Sequence, residues 1–133
     1  MSVRVLLIDD DQSMCEMMAS ALQGRGYDVT WRTRGSDALG LVSEQDFDAV
    51  VTDLNLEKMS GLDICSHITE NRPDVPVIVI TAFGDMKSAI AAMRAGAYDF
   101  LNKPIEMEAL GHTIERAIRH RKLQEEVKLL TDR

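Results

Sequence analysis

Asp48-Ala49-Val50-Val51-Thr52-Asp53-Leu54-Asn55-Leu56 is an apolar run that ends abruptly in a carboxylate. Its length and β-branching are those of a parallel strand covered on both faces. Asp53 then stands at the strand's carboxyl end, where open α/β sheets bind their ligands. Three other runs end in polar groups of a related kind. Val3-Arg4-Val5-Leu6-Leu7-Ile8 leads into Asp9-Asp10-Asp11, Val77-Ile78-Val79-Ile80 into Thr81-Ala82, and Tyr98-Asp99-Phe100-Leu101-Asn102 into Lys103-Pro104. If these strands are parallel neighbours, carboxylates, a hydroxyl and an ammonium meet at one rim of the sheet.

The segments between the strands carry helical stripes. Met14, Met17, Met18, Ala21 and Leu22 predict a core-facing first helix, with Ser13 and Glu16 as a capping box and Gly24 or Gly26 closing it. Tyr27 to Trp31 reads as a short strand, and Ser36 as the cap of a second helix with Ala38, Leu41 and Val42 on one face. Beyond Gly61 a third helix carries Leu62, Cys65 and Ile68 and is stopped by Pro73 and Pro76. Asp85 is placed to cap a fourth, with Met86, Ala89, Ile90 and Met93 inward and Gly96 past its end, and its alanines point to close packing or a small-residue contact surface. Met107, Leu110, Ile114 and Ile118 mark the fifth. Five strands alternating with five helices predict a doubly wound parallel sheet.

The 133 residues, 45% of them hydrophobic, suffice for one domain with a sizeable core. Fifteen basic against 22 acidic residues leave a net charge of −7, which disfavours direct contact with nucleic acid or an anionic membrane. No run approaches the ~20 apolar residues a bilayer requires, and the N-terminus lacks the apolar stretch of a signal peptide. A cytoplasmic domain that faces other proteins is expected. Cys15 and Cys65 lack metal-ligand spacing and read as reduced, small hydrophobes. From His120 onward the chain is polar, with Leu123, Val127 and Leu130 spaced by four and then three, which fits the start of a coiled coil and equally a solvated helical tail.

As rim neighbours, Asp9, Asp10 and Asp53 repel one another. At ~5 Å and an effective dielectric of ~20, each pair is worse by about 3 kcal/mol, so the trio favours a bound cation or a proton. Mg²⁺ suits best, because it takes one or two carboxylates, keeps waters and leaves room for a phosphate oxygen. Thr81 and Lys103 could hold the remaining phosphoryl oxygens, leaving a carboxylate as nucleophile. Asp11 is assigned to the helix start, and His67, His112 and His120 to the solvated surface. One rival is a dehalogenase-like phosphatase with Asp9 as nucleophile and Asp11 as acid and base. It leaves Asp53 without a task and lacks an acidic pair after Lys103. A flavodoxin-like cofactor binder would need a glycine-rich phosphate loop after the first strand, and none is present. Intact Asp10, Asp53, Thr81 and Lys103 speak against a degenerate interaction module.

Leu7-Ile8-Asp9-Asp10-Asp11, Val51-Thr52-Asp53-Leu54-Asn55 with Met59-Ser60-Gly61, Val79-Ile80-Thr81-Ala82 and Leu101-Asn102-Lys103-Pro104 together resemble the receiver domain of bacterial two-component response regulators. The resemblance covers about residues 3 to 120. It implies a flavodoxin-like strand order of 2-1-3-4-5, with residues 1–120 as receiver and 121–133 as a helical linker or coiled-coil start toward an output domain. It implies that Asp53 accepts a phosphoryl group from a sensor histidine kinase. Asp9, Asp10, Asp53 and the backbone carbonyl of Asn55 would arrange Mg²⁺, and Thr81 and Lys103 would engage the phosphoryl group. Phe100 would be the aromatic whose rotamer follows Thr81, and Lys103-Pro104 a cis peptide. The domain would support only its own phosphorylation and dephosphorylation. Ala95-Gly96-Ala97-Tyr98-Asp99-Phe100-Leu101 and the helical tail resemble the nitrogen-regulation class, whose receivers precede an AAA+ ATPase acting on sigma-54 polymerase and a DNA-binding domain. A homodimer through the tail is the expected assembly. One position departs: Glu57 stands where a proline is common four residues after the acceptor, which bears on the stiffness of that loop.

Overall fold

The computed structural model describes residues 2–82 and 84–131. Residues 132 and 133 of the expected linker lie outside them. In chain order the elements are β1 (Arg4–Ile8), α1 (Gln12–Gln23), β2 (Asp28–Arg32), α2 (Gly35–Glu44), β3 (Ala49–Asp53), α3 (Gly61–Asn71), β4 (Val77–Thr81), α4 (Met86–Arg94), β5 (Asp99–Asn102) and α5 (Met107–Thr131). The strands form one parallel sheet in the order β2-β1-β3-β4-β5. The doubly wound, flavodoxin-like prediction therefore holds.

The strands are apolar at consecutive positions because each face of the sheet is covered. Alternate side chains point to opposite faces. Val5, Leu7, Val51, Ile78 and Ile80 pack with Met18 and Leu22 of α1 and Leu110 and Ile114 of α5. Leu6, Ile8, Val50, Val77 and Val79 pack with Ala38, Val42, Ile64, Ile68 and Ala92 from α2, α3 and α4. Register then aligns the strand ends: Ile8 lies opposite Thr52, Asp53 opposite Ile80, and Thr81 opposite Asn102.

Four local expectations are corrected. α1 begins two residues earlier than the Ser13 and Glu16 box implies: Asp11, already assigned to the helix start, is its N-cap, accepting from the Met14 N–H. Its buried stripe is Cys15, Met18, Ala19 and Leu22, and Met17, about 150° from that stripe's centre at 100° per residue, is half exposed. α2 starts at Gly35 behind an Arg34 that makes no side-chain cap, so Ser36 lies inside the helix. Gly35 faces Ile64 and Met59 so closely that a Cβ there would meet them at 2.9 and 3.1 Å. In α4 the large residues point outward: Met86, Ile90 and Met93 are exposed, while Ala92 is fully buried. Here the short side chains let the helix approach the sheet, so the alanine face, equally periodic, is the one that packs. Asp85 does cap α4 through the Ser88 N–H, and Gly96 follows it at φ +101°.

Candidate functional site

The ends of two strands, β1 and β3, deliver the carboxylates to the carboxyl rim. Asp9 follows β1 and is almost fully buried, and its Oδ1 accepts from the Asp11 N–H at 3.0 Å. Asp53 closes β3 and is 6% exposed, and its Oδ1 accepts from the Asn55 N–H at 3.1 Å. Asp10 lies between Asp9 and the α1 cap and is exposed. One carboxylate oxygen from each of the three falls within 4.8 Å of the others, the one grouping among the described residues with the ligand types and spacing to hold a metal ion. An all-oxygen, triply acidic set fits a hard divalent cation, and Mg²⁺ in particular.

The sequence did not foretell how Lys103 sits. Its Nζ donates to Asp53 Oδ2 at 3.0 Å and to Asp9 Oδ2 at 3.2 Å, so the ammonium spans the two buried carboxylates. Burial pushes the Asp9 carboxyl above its ordinary value, and the charge of Asp53 adds to this against the Asp11 N–H and Lys103. Burial pulls the Lys103 ammonium down, but its bonds to Asp53 and the two negative charges outweigh that and leave it raised. The ammonium is the counter-ion of this site.

Thr81 is fully buried at the end of β4, where its carbonyl accepts from the Lys103 N–H at 2.8 Å. The Asn55 side-chain amide donates to Thr81 Oγ1 at 3.2 Å. Asn55 thus links the end of β3 to the Thr81 hydroxyl, a role for its side chain that sequence reasoning missed; a polar residue after a strand carries no signal for it. Phe100 stands opposite Val79, two residues before Thr81 on the same face of the sheet, and packs half-buried against the α2, α3 and α4 side. The Lys103-Pro104 peptide is cis. Gly61 lets α3 start against the end of β3: a Cβ there would lie 2.2 Å from the Asp53 carbonyl oxygen. The Cys15 thiol donates to the Asp9 carbonyl at 3.2 Å, and burial pushes it up to about 11, so it is an inert packing group.

A doubly wound α/β domain with an acidic, lysine-bridged site at its carboxyl rim is the class that fold and site define. The chain belongs to the response regulator receiver domain family, whose pattern matches residues 5–115. It is 36% identical over 118 residues to the transcriptional regulatory protein ZraR of Salmonella typhimurium, covering 89% of this chain and 27% of that protein. To the transcriptional regulatory protein GlrR of Escherichia coli it is 32% identical, with 86% of this chain and 26% of that protein covered. The chain thus spans about a quarter of the length of these relatives. A receiver domain from Clostridium thermocellum superposes with a TM-score of 0.87 at 32% identity, covering 92% of this chain and 98% of that one. The beryllofluoride-activated NtrC4 receiver domain dimer gives a TM-score of 0.85 at 33% identity, covering 89% and 98%. The resemblance to the nitrogen-regulation class is supported by these relatives. No helix among the described residues is long and apolar enough to cross a membrane.

Proposed function

We propose that this chain is a phosphorylation-activated signalling switch in which Asp53 is the acceptor for a phosphoryl group from a sensor histidine kinase. The observation that supports this best is the buried Asp53 carboxylate, facing two further carboxylates and held at both oxygens, by Asn55 on one and Lys103 on the other. With Oδ1 held by a backbone N–H, Oδ2 is the oxygen to attack once Lys103 moves onto the phosphoryl oxygens. A P–O bond forms, the P–N bond of the phosphohistidine breaks, and the imidazole nitrogen keeps the electron pair. Asp9, Asp10, Asp53 and the Asn55 carbonyl would hold Mg²⁺, which when bound neutralises charge on the transferring group.

Thr81 then turns its hydroxyl toward the phosphoryl group. The space it leaves beside α4 is filled by Phe100, and a charge event becomes a packing event on α4, β5 and α5. The exposed Met86, Ile90 and Met93 give that surface something for a partner to read. The receiver runs through the buried Arg121, one residue past the expected boundary at 120, and the residues after it are a linker toward AAA+ and DNA-binding output domains of a cytoplasmic sigma-54 activator. The tail pairs two copies along Leu123, Val127 and Leu130. This segment itself touches neither nucleic acid nor membrane.

Intact-protein mass measurement after incubation with a small phosphodonor and Mg²⁺ tests the reading. Wild type gains one phosphoryl mass and Asp53→Ala gains none. Asp10→Asn folds normally but is phosphorylated slowly and binds Mg²⁺ weakly. An undiminished adduct in Asp53→Ala overturns the acceptor assignment, and full-rate phosphorylation in excess chelator overturns the metal assignment.

A further inference from the structure

At the opposite pole, along the amino ends of the strands, lies an ionic cluster that the phosphoryl chemistry does not use. Its centre is Arg121 of α5, 7% exposed in a stretch of sequence that is otherwise polar and solvated. Nη1 donates to the Phe47 carbonyl at 2.9 Å and to Asp48 Oδ1 at 3.0 Å. Nη2 donates to Asp46 Oδ1 at 3.2 Å and Asp74 Oδ2 at 2.9 Å, and Nε lies 3.3 Å from Glu125 Oε1. Asp46, Phe47 and Asp48 come from the α2–β3 loop and Asp74 from the α3–β4 loop, so one guanidinium ties α5 to two loops. Arg72 reinforces the same carboxylates, and Asp48 accepts from the Arg4 N–H at 2.8 Å, extending the network to β1.

Arg121 is the last inward residue of the stripe that runs through Leu110, Ile114 and Ile118. Beyond it every described position of α5 is exposed. At 100° per residue, Leu123, Val127 and Leu130 lie about 200°, 240° and 180° around the helix from Arg121. An inward Arg121 therefore holds that seam away from the domain it follows.

We propose that Arg121 is the positioning residue of the tail: it makes the tail a rigid continuation of α5 and sets the rotational phase in which Leu123, Val127 and Leu130 are presented. Ile118 and Arg121 grip the helix one turn apart, so it cannot swivel at the domain boundary without breaking bonds to Asp46, Asp48 and Asp74. A displacement of the other end of α5, near Lys103, then reaches the tail without a hinge to absorb it. Only that last step rests on the switch proposed for Asp53. The rigid tail does not.

Spin labels at Ser43→Cys on α2 and Lys128→Cys on the tail, in protein diluted with unlabelled chain, read the tail's orientation as a distance distribution. Cys15 and Cys65 are buried and free. The unphosphorylated wild type gives one narrow distribution, and Arg121→Met broadens it severalfold. Because a methionine leaves unpaired carboxylates and could unfold the domain, Asp46→Asn combined with Asp74→Asn is the second variant, and it broadens the distribution as well. Equal widths in wild type and a folded variant, even with a lowered melting temperature, overturn the proposal, since a merely stabilising cluster would change the melting alone. The measurement involves no phosphoryl group, so its failure leaves the assignment of Asp53 standing.

Discussion

Single side chains at the rim are placed by the backbone around them. Asn55 acts twice at the rim, with its N–H on Asp53 Oδ1 and its side-chain amide on Thr81 Oγ1. A hydroxyl can accept from an amide and still be a donor, so this bond orients Thr81 for the role proposed for it. Asn55→Leu preserves volume and removes the donor. It should slow phosphorylation from a small phosphodonor about fivefold, the equivalent of one hydrogen bond of ~1 kcal/mol, in a mass-resolved time course. An unchanged rate would separate Asn55 from the chemistry. Asp9, Asp10, Asp53, Thr81 and Lys103 were legible as types at strand ends, because strand ends in a parallel sheet share a rim. The bridging of two carboxylates by Lys103 was not, since it depends on distances between atoms 94 and 50 residues apart in the chain.

Among the helices, periodicity marked the right segments and sometimes the wrong face. α4 carries two stripes of equal spacing, and the small one packs because the helix lies close against the sheet. α5 shows the converse: its inward stripe ends in an arginine, a residue that a hydrophobic pattern passes over. The tail's outer seam is the third case. Leu123, Val127 and Leu130 are all well exposed, and each would gain roughly 1.5–3 kcal/mol on burial against a second copy, before the cost of association. A weak dimer is expected. Replacing all three by glutamine should leave a monomer by sedimentation equilibrium at concentrations where the wild type associates. Identical masses for the two chains would rule out the seam as the contact. Substitution is the better comparison than truncation at His120, which would also remove Arg121.

For the whole molecule, the two poles respond to acid differently. Arg72 and Arg121 hold the Asp46 carboxyl below the usual range, and Asp74, although burial opposes it, ends low through Arg72 and Arg121. Such groups add stability above their unfolded pKa of about 4, and that stability is lost as pH falls through the lower folded values. Asp9, raised, works in the opposite sense: its contribution favours the fold at low pH and is lost as pH rises through its folded value. Urea titrations stepped downward from about pH 5 should show the wild type losing stability more steeply than the Asp46→Asn, Asp74→Asn double variant. Parallel curves would mean that the cluster is not linked to folding. By itself the sequence determined the five alternating units, the two-sided sheet and the polar types at four strand ends, because two-residue and 3.6-residue periods are local and record which faces avoid water. Only the tertiary structure decided which stripe of α4 turns inward, that Asp11 and not the Ser13 box caps α1, and that Arg121 belongs to the domain. Each of those outcomes is set by contacts between distant segments. The hydrogen-bond partners of Arg121 lie 47 to 75 residues away, and a buried charge is affordable only where such partners meet it.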